Sequence, residues 1–228
     1  MVRCVSRIIE AEEGETYDIE LAEDLLKANR DLARENWALL KKHGIQAIDV
    51  MGSVGTGKTS LIEQIVQKLR GKYRIAAIAG DLTTTIDADL IASHGAAVIQ
   101  INTGKECHLD ANLVRKALQK IDLRKVDLIF IENVGNLICP AEFPLGSDKR
   151  IVVISLTEGP HLVIKHPFIF MEADIVVINK MDVADALGVN VDKLVSDVHR
   201  VNSNARVVKV SCKMGTGILD VINALDLK

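Results

Sequence analysis

The sequence is short of aromatic residues, of cysteines and of net charge, and each shortage excludes a class of protein. Phe, Trp and Tyr make up 3% of the 228 residues, so the core has to be built from aliphatic side chains. A net charge of −3 gives no electrostatic basis for binding nucleic acid or an anionic membrane surface. Four cysteines, at positions 4, 107, 139 and 212, are too few and too scattered for a disulfide framework. We therefore predict a reduced, cytoplasmic protein whose cysteines serve another purpose.

Long hydrophobic runs are also missing, since no stretch is apolar over the roughly 20 residues that a membrane-spanning helix needs. The best candidate, residues 126–141, is interrupted by Asp127, Glu132 and Asn133. Glutamates at positions 10, 12, 13 and 15 argue against a signal or transit peptide. With 48% apolar and 26% charged residues, the composition is that of a soluble globular protein, and the length predicts one domain with at most a small appendage.

Two zones differ in their hydrophobic pattern, and we place the boundary between residues 45 and 46. Residues 1–45 form an N-terminal extension with a short strand at 3–9 and a long amphipathic helix at 18–43. Apolar side chains recur along that helix at three- and four-residue steps, with Trp37 beside the stripe: Leu21, Leu25, Ala28, Leu32, Leu39 and Leu40. We predict that the helix packs against the side of the main domain, residues 46–228.

In the main domain, short aliphatic segments alternate with helical ones. The aliphatic segments are apolar on both faces, which is typical of central strands in a parallel sheet covered by helices. The predicted strands are 47–51, 74–79, 97–101, 128–132, 151–155, 175–179 and 206–211, and the predicted helices are 59–70, 87–94, 108–121, 191–201 and 218–225. This alternation predicts a doubly wound, mostly parallel α/β sheet of seven strands, whose ligands bind beyond the carboxyl ends of the strands.

A glycine-rich segment between the first predicted strand and its helix, here named the phosphate loop, matches G-x-x-x-x-G-K-S/T at every fixed position. It reads Gly52-Ser53-Val54-Gly55-Thr56-Gly57-Lys58-Thr59, and Ser60 follows it. The glycines let consecutive N–H groups converge on a phosphate, and the helix N-terminus adds partial positive charge. Lys58 is expected to reach the β- and γ-phosphates, and the Thr59 hydroxyl to bind Mg²⁺.

A second motif at a strand end predicts the base. Asn179-Lys180-Met181-Asp182 resembles the guanine-specificity motif of GTPases. The Asp182 carboxylate can accept hydrogen bonds from guanine N1–H and the 2-amino group, a pair that adenine does not offer, while Asn179 can bond N7 and the Lys180 stem can cover the ring. Ser211-Cys212-Lys213 ends the next strand and looks like the loop that backs the guanine, so we interpret Cys212 as a small residue near the base rather than a metal ligand. GTP and GDP are the predicted nucleotides.

Three acidic residues are candidates for binding Mg²⁺. Glu132 ends a strand in the manner of a Walker B carboxylate, and Glu132-Asn133-Val134-Gly135 resembles the Asp-x-x-Gly switch of GTPases, with the Gly135 N–H available to the γ-phosphate. Asp81 ends another strand, and Asp87 follows a threonine-rich loop at 83–85. Helix N-capping is the alternative for Asp81 and for Asp87, and for Asp87 the sequence favours neither role. Lys58, Thr59, Asp81 and Glu132 make up the predicted catalytic set.

Cys107, His108 and Cys139 form a candidate transition-metal site. Cys107 and His108 are predicted to open a helix, and Cys139 lies just beyond Glu132. Two thiolates and one imidazole suit Zn²⁺ or Ni²⁺ and are poor ligands for Mg²⁺. Three donors leave a fourth place for a backbone amide, a water or a second subunit. From the residues alone, a small buried cysteine and a capping histidine remain open alternatives.

Two segments, residues 102–111 and 132–143, closely resemble the HypB family of hydrogenase nickel-incorporation GTPases. The resemblance extends over nearly the whole chain from about residue 18. It implies a P-loop GTPase of the SIMIBI type that couples GTP hydrolysis to nickel delivery during maturation of NiFe-hydrogenase. It also implies a metal site at Cys107, His108 and Cys139, a homodimer in the GTP-bound form, and the hydrogenase large subunit and other nickel-maturation factors as partners. Neither a glutamine nor an arginine finger is evident, so we expect slow hydrolysis.

Other families and functions fit the sequence less well. Urease accessory GTPases carry Cys-Pro-His where Cys107 and His108 are adjacent here. The N-terminal Cys-x-x-Cys-Gly-Cys motif and the His-rich tract of some HypB proteins are absent from this sequence, so we expect neither high-affinity N-terminal nickel binding nor nickel storage. The guanine motif argues against a small-metabolite kinase. Intact Lys58, Thr59 and Glu132 argue against a passive metal-binding adaptor with a vestigial nucleotide site.

Overall fold

A parallel sheet is the framework of the chain, which is described by a computed structural model for residues 17–81, 86–104 and 106–227. Its strands are β1 (Gln46–Met51), β2 (Ile75–Asp81), β3 (Ala97–Asn102), β4 (Leu128–Glu132), β5 (Lys149–Ser155), β6 (Ile175–Asn179) and β7 (Arg206–Lys209). They lie in the order β3-β2-β4-β1-β5-β6-β7, and each neighbouring pair is parallel. The predicted strand at 3–9, Cys4, the loop at 83–85 and the side chains of Leu21 and Asp87 lie outside the described residues.

Helices cover both faces of the sheet. They are α1 (Tyr17–Lys42), α2 (Lys58–Leu69), α3 (Ile86–Ser93), α4 (Ala111–Leu118), α5 (Cys139–Glu142), α6 (Leu162–Lys165), α7 (Pro167–Met171), α8 (Ala184–Leu187), α9 (Val191–Val201) and α10 (Ile218–Ala224), with 3₁₀ turns at Leu123–Lys125, Leu156–Glu158 and Met181–Val183. Alternate strand residues serve the two layers, as the pleat requires. Ile48 and Val50 of β1 pack with α2, α3 and α10, whereas Ala47 packs with α1 and α4 and Met51 with α6, α7 and α9. The doubly wound α/β fold predicted from the sequence is confirmed.

The N-terminal helix α1 packs alongside the sheet layer as predicted, but its buried face differs from the predicted apolar stripe. Leu25 is 59% exposed, while Asn29 and Asn36 are buried beside Ala33 and Leu40. Asn29 Nδ2 donates to Pro144 O (2.9 Å) and Asn36 Nδ2 donates to Leu145 O (3.2 Å). The inward face of α1 is therefore partly polar, because its two amides bind backbone groups of the loop that they cover.

The helix predicted to open at Cys107-His108 begins later, and that part of the prediction is wrong. Asp110 is the N-cap of α4, and its side chain accepts a hydrogen bond from Leu113 N at 2.7 Å. An aspartate in this position satisfies a helix N–H that would otherwise lack a partner, so it fixes where the helix begins. Cys107 and His108 consequently lie in the loop between β3 and α4.

The parallel arrangement brings several predicted site residues to one edge of the sheet. Asp81, Glu132 and Asn179 end β2, β4 and β6, and the phosphate loop follows β1. All four strands point the same way, so these residues share the carboxyl edge, where ligands of such sheets bind. Within the part of the chain that the structure describes, no helix is both long and apolar enough to span a membrane.

Candidate functional site

The phosphate loop needs glycine at two positions because other parts of the backbone and a side chain approach it closely. Gly52 has φ 146°, and a Cβ atom there would lie 2.2 Å from Val153 O. Gly57 has φ 97°, and a Cβ atom there would lie 2.3 Å from Asn179 Nδ2. Any larger residue would push the loop away from β5 or from the end of β6. The two glycines therefore let the loop fold tightly at the start of α2.

Polar side chains at the end of the phosphate loop bond the loop itself and the end of β4. Lys58 Nζ donates to Gly52 O and to Ser53 O, each at 3.1 Å. Thr59 Oγ1 donates to Glu132 Oε1 at 2.7 Å. The sequence motif and the strand-end glutamate are thus joined directly, although they are far apart in the chain. Hydroxyl and carboxylate oxygens together form a donor set that suits Mg²⁺.

A cavity of about 960 Å³ opens in front of this group. The predicted nucleotide-binding residues that line it are Val54, Gly55, Gly57, Lys58, Thr59, Ser60, Asp81, Glu132, Gly135, Asn179, Lys180, Asp182, Cys212 and Lys213. The other predicted members, Gly52, Ser53, Thr56 and Ser211, are not among the residues that line it. Glu63, Gln64, Leu90 and Val183 also line the cavity and carry no motif by which the sequence would identify them. The cavity thus runs from the phosphate loop to the predicted base-binding residues.

Asn179 ties the two ends of this cavity together. Its Nδ2 donates to Thr56 O at 2.8 Å, and its Oδ1 accepts from Lys180 N (2.8 Å) and Cys212 N (3.1 Å). The side chain is 3% exposed. These bonds hold the phosphate loop and the 211–213 loop in register. Since Nδ2 carries two hydrogens and Thr56 O accepts one, the contact of Asn179 with guanine N7 stays a prediction.

Asp182 is held as a charged acceptor facing the cavity. Ser211 Oγ donates to Asp182 Oδ1 at 2.6 Å. This hydrogen bond, with smaller effects from Lys213 and Lys180, holds the pKa of Asp182 below its usual range. Cys212 is buried, and burial raises the pKa of its thiol to about 11, which fits a small neutral residue in the wall.

Cys107, His108 and Cys139 come together in what we name the thiol cluster. The two sulfurs are 2.9 Å apart, Cys107 Sγ lies 3.7 Å from His108 Nδ1, and the three potential ligand atoms lie within 4.8 Å of one another. The His108 ring packs on Phe143, with centroids 4.0 Å apart. Burial lowers the pKa of His108, which favours the neutral imidazole that binds metals. The hydrogen bond from Cys107, and then burial, raise the pKa of the Cys139 thiol.

A buried polar group lies under the loop that separates the cavity from the thiol cluster. Asn133 Oδ1 accepts from Leu109 N at 3.0 Å and from Val134 N at 3.1 Å, while its Nδ2 faces Asp49 Oδ1 at 3.5 Å. Asp49 is fully buried, and burial raises its pKa to about 6 against the opposing effects of Arg150 and Asn133. The backbone next to His108 is thereby fastened to the end of β4.

The remaining predicted Mg²⁺ candidates differ in what the structure describes. Asp81 ends β2 and lines the cavity together with Thr59 and Glu132. Asp87 lies in the first turn of α3, but its side chain is outside the described residues. The choice between cap and metal ligand at Asp87 therefore stays a prediction.

Comparisons with known proteins agree with this geometry. Residues 46–209 match the family model described as CobW/HypB/UreG, nucleotide-binding domain. A Methanocaldococcus jannaschii protein named probable hydrogenase maturation factor HypB is 52% identical over 208 residues, which cover 91% of this chain and 94% of that protein. The chain belongs to the HypB family. The resemblance carried by residues 102–111 and 132–143 is thereby confirmed.

Solved HypB structures share the fold described above. HypB from Archaeoglobus fulgidus has a TM-score of 0.82 at 40% identity, covering 87% of this chain and 97% of that chain. HypB from Helicobacter pylori, crystallised in complex with nickel, has a TM-score of 0.82 at 33% identity, covering 87% and 93%. The P-loop fold class with its N-terminal helix is confirmed.

Proposed function

We propose that this protein is a GTP-hydrolysing metallochaperone that delivers nickel during maturation of NiFe-hydrogenase, and that its metal affinity depends on the bound nucleotide. One observation carries the proposal. A single loop, residues 132–139, joins Glu132, whose carboxylate accepts a hydrogen bond from Thr59 of the phosphate loop, to Cys139 of the thiol cluster. A change at the γ-phosphate and a change at the metal therefore act on the same short segment.

The phosphate end of the cavity supplies the groups that hydrolysis needs. Lys58 stabilises charge on the β- and γ-phosphates once it turns from the loop carbonyls to the nucleotide. Thr59, Glu132 and Asp81 offer oxygen donors that fit Mg²⁺, which when bound neutralises phosphate charge. Gly135 lines the cavity, and its N–H donates to the γ-phosphate in this scheme and loses that hydrogen bond after hydrolysis. Val54, Gly55, Gly57 and Ser60 complete the lining at the phosphate end, and Gly52, Ser53 and Thr56 complete the phosphate loop that holds them.

The opposite end of the cavity selects guanine. Asp182 is exposed to the cavity, charged, and oriented by Ser211, so it presents an acceptor pair to N1–H and the 2-amino group. Lys180 covers the base, and the 212–213 loop backs it. Adenine lacks the N1–H and 2-amino donors, so it would not pair with the Asp182 carboxylate once the base covers it, and ATP would bind less tightly.

The thiol cluster binds the cargo metal. Two thiols and an imidazole match the softness of Ni²⁺ or Zn²⁺, and metal binding displaces the thiol protons. The cluster offers three ligands, so the fourth comes from water, a backbone amide or a partner subunit. We propose that GTP-bound protomers form a homodimer through an isologous interface and that this state hands the metal to hydrogenase maturation partners.

Nucleotide turnover without any added substrate tests the proposal. We expect the protein to hydrolyse GTP and to bind it at least about a hundredfold more tightly than ATP, a difference of about 2.7 kcal/mol. Lys58→Ala should abolish turnover, whereas Lys72→Ala, an exposed lysine at the opposite edge of the sheet, should not change it. Turnover that requires a small metabolite would indicate a kinase. Metal binding without turnover would indicate a passive adaptor.

A further inference from the structure

Residues 135 and 136 lie directly on the phosphate loop. A Cβ atom on Gly135 would lie 2.4 Å from Val54 Cγ2 and 2.9 Å from Val54 N. Gly52 and Asn136 are paired as an isolated antiparallel bridge. Because Gly135 packs closely on Val54 and Asn136 is paired with Gly52, we expect a displacement of the phosphate loop to move the backbone at 135–136.

The side chain of Asn136 reaches the thiol cluster from the same position. Its Nδ2 donates to Cys107 O at 3.3 Å, and its Oδ1 accepts from Ile138 N, next to Cys139, at 2.9 Å. One amide therefore fastens both segments that carry the thiols. These segments come from separate loops, since Cys107 precedes α4 and Cys139 opens α5.

We infer that Asn136 is the positioning residue through which the phosphate loop sets the separation of Cys107 and Cys139 and hence the affinity for metal. The inference rests on the proposed function, because it assumes that nucleotide and metal occupy the two sites. Asn136 makes no bond to metal in this scheme. It fixes the two arms that do, and its backbone partner is a glycine of the phosphate loop.

This arrangement predicts a reciprocal effect. A pair of thiols held at a fixed separation binds a metal with less loss of conformational freedom than a loose pair. If Asn136 transmits the phosphate-loop state, the metal must alter nucleotide affinity by the same factor by which the nucleotide alters metal affinity. Removing the amide should reduce both factors while leaving the phosphate contacts and the three metal ligands in place.

The test is titration of the full-length protein with Ni²⁺ alone, in the presence of GDP and of a non-hydrolysable GTP analogue. The variants are Asn136→Ala, which removes every side-chain hydrogen bond of Asn136, including the one to the Cys139 thiol, and Asn136→Asp, which keeps the acceptor toward Ile138 N but loses the donor toward Cys107 O. Asn204→Ala is the matched control, because Asn204 is an exposed asparagine away from both sites. Thermal unfolding and GTP affinity of each variant check that the fold and the phosphate loop are intact.

For the parent, and equally for Asn204→Ala, we expect the Ni²⁺ affinity measured with GDP to differ at least about fivefold from that measured with the GTP analogue. This is a typical size for coupling between sites. In both Asn136 variants the ratio should fall to within about twofold of one, with GTP affinity unchanged. An Asn136→Ala protein that keeps the parent ratio overturns this inference and leaves the proposed function standing. A parent ratio of one overturns the coupling in the proposed function, and with it the role of Asn136.

Discussion

Replacing the buried Asp49 by asparagine should remove a loss of folding stability that the parent protein suffers as the pH rises. Asp49 lies in β1 with no exposed surface, and its Oδ2 has no hydrogen-bond partner among the described residues. Burial disfavours the carboxylate, so the native pKa is about 6 against an ordinary value of 3.8. Asparagine has nearly the same shape, keeps an oxygen toward Asn133 Nδ2, and cannot ionise.

The magnitude follows from linkage between protonation and folding. Between pH 3.8 and about 6 the native state holds a proton on Asp49 that the unfolded chain has released, so stability falls as pH rises through this window. The whole window corresponds to about 3 kcal/mol, at about 1.4 kcal/mol for each pH unit of difference. Above the native pKa, Asp49 is ionised in both the native and the unfolded state, so the stability lost to its burial no longer changes with pH. From pH 5.0 to 7.5, Asp49→Asn should therefore gain about 1.4 kcal/mol relative to the parent.

Urea unfolding at both pH values measures this gain, followed by the fluorescence of Trp37, the single tryptophan, and by circular dichroism. Any pH-independent effect of the asparagine on the free energy of unfolding cancels, because the parent–variant difference at pH 5.0 is compared with that at pH 7.5. Asp127→Asn is the control. Hydrogen bonds from Arg74 lower the pKa of Asp127 to about 2, so the pH dependence that Asp127 contributes to stability lies below pH 5.0. A parent–variant difference that is equal at pH 5.0 and 7.5 would refute the argument that Asp49 is buried and destabilised as a carboxylate.

Three further changes test the site. Asp182→Asn should weaken GTP binding at least about a hundredfold and shift preference toward xanthine nucleotide, as measured by competition binding. Thr59→Ala should lower Mg²⁺-dependent GTP turnover at least about a hundredfold without loss of fold, because it removes an oxygen donor beside Glu132. Cys139→Ala should weaken Ni²⁺ binding at least about tenfold and remove its dependence on nucleotide, whereas Cys212→Ala should change Ni²⁺ affinity little, both by metal titration.

The sheet and its active edge could be predicted from the sequence because their signals are local. A short run that is apolar on both faces indicates a central strand without reference to distant residues. A glycine-rich segment with the G-x-x-x-x-G-K-S/T pattern between such a strand and a helix likewise indicates a phosphate loop. Glu132 and Asn179 were identified because each follows an aliphatic run directly. The start of α4 was missed because periodicity continues through His108, whereas the boundary depends on one side-chain hydrogen bond from Leu113 N to Asp110.

The buried face of α1 was missed for a different reason. A hydrophobic stripe assigns Leu25 to the core and Asn36 to solvent, but Asn36 binds carbonyls of Ala111 and Leu145. Those partners are distant in sequence, and no pattern within a helix indicates which amides will find backbone groups after folding. Burial of a polar side chain is favourable only where such partners exist, so it is a property of the assembled fold.

The same reasoning explains why three asparagines connect loops of the candidate site. Asn133, Asn136 and Asn179 each use both ends of an amide, so each can hold a donor on one loop and an acceptor on another. A carboxylate accepts only, and an ammonium group donates only. Neither could bridge segments whose backbone groups are of both kinds.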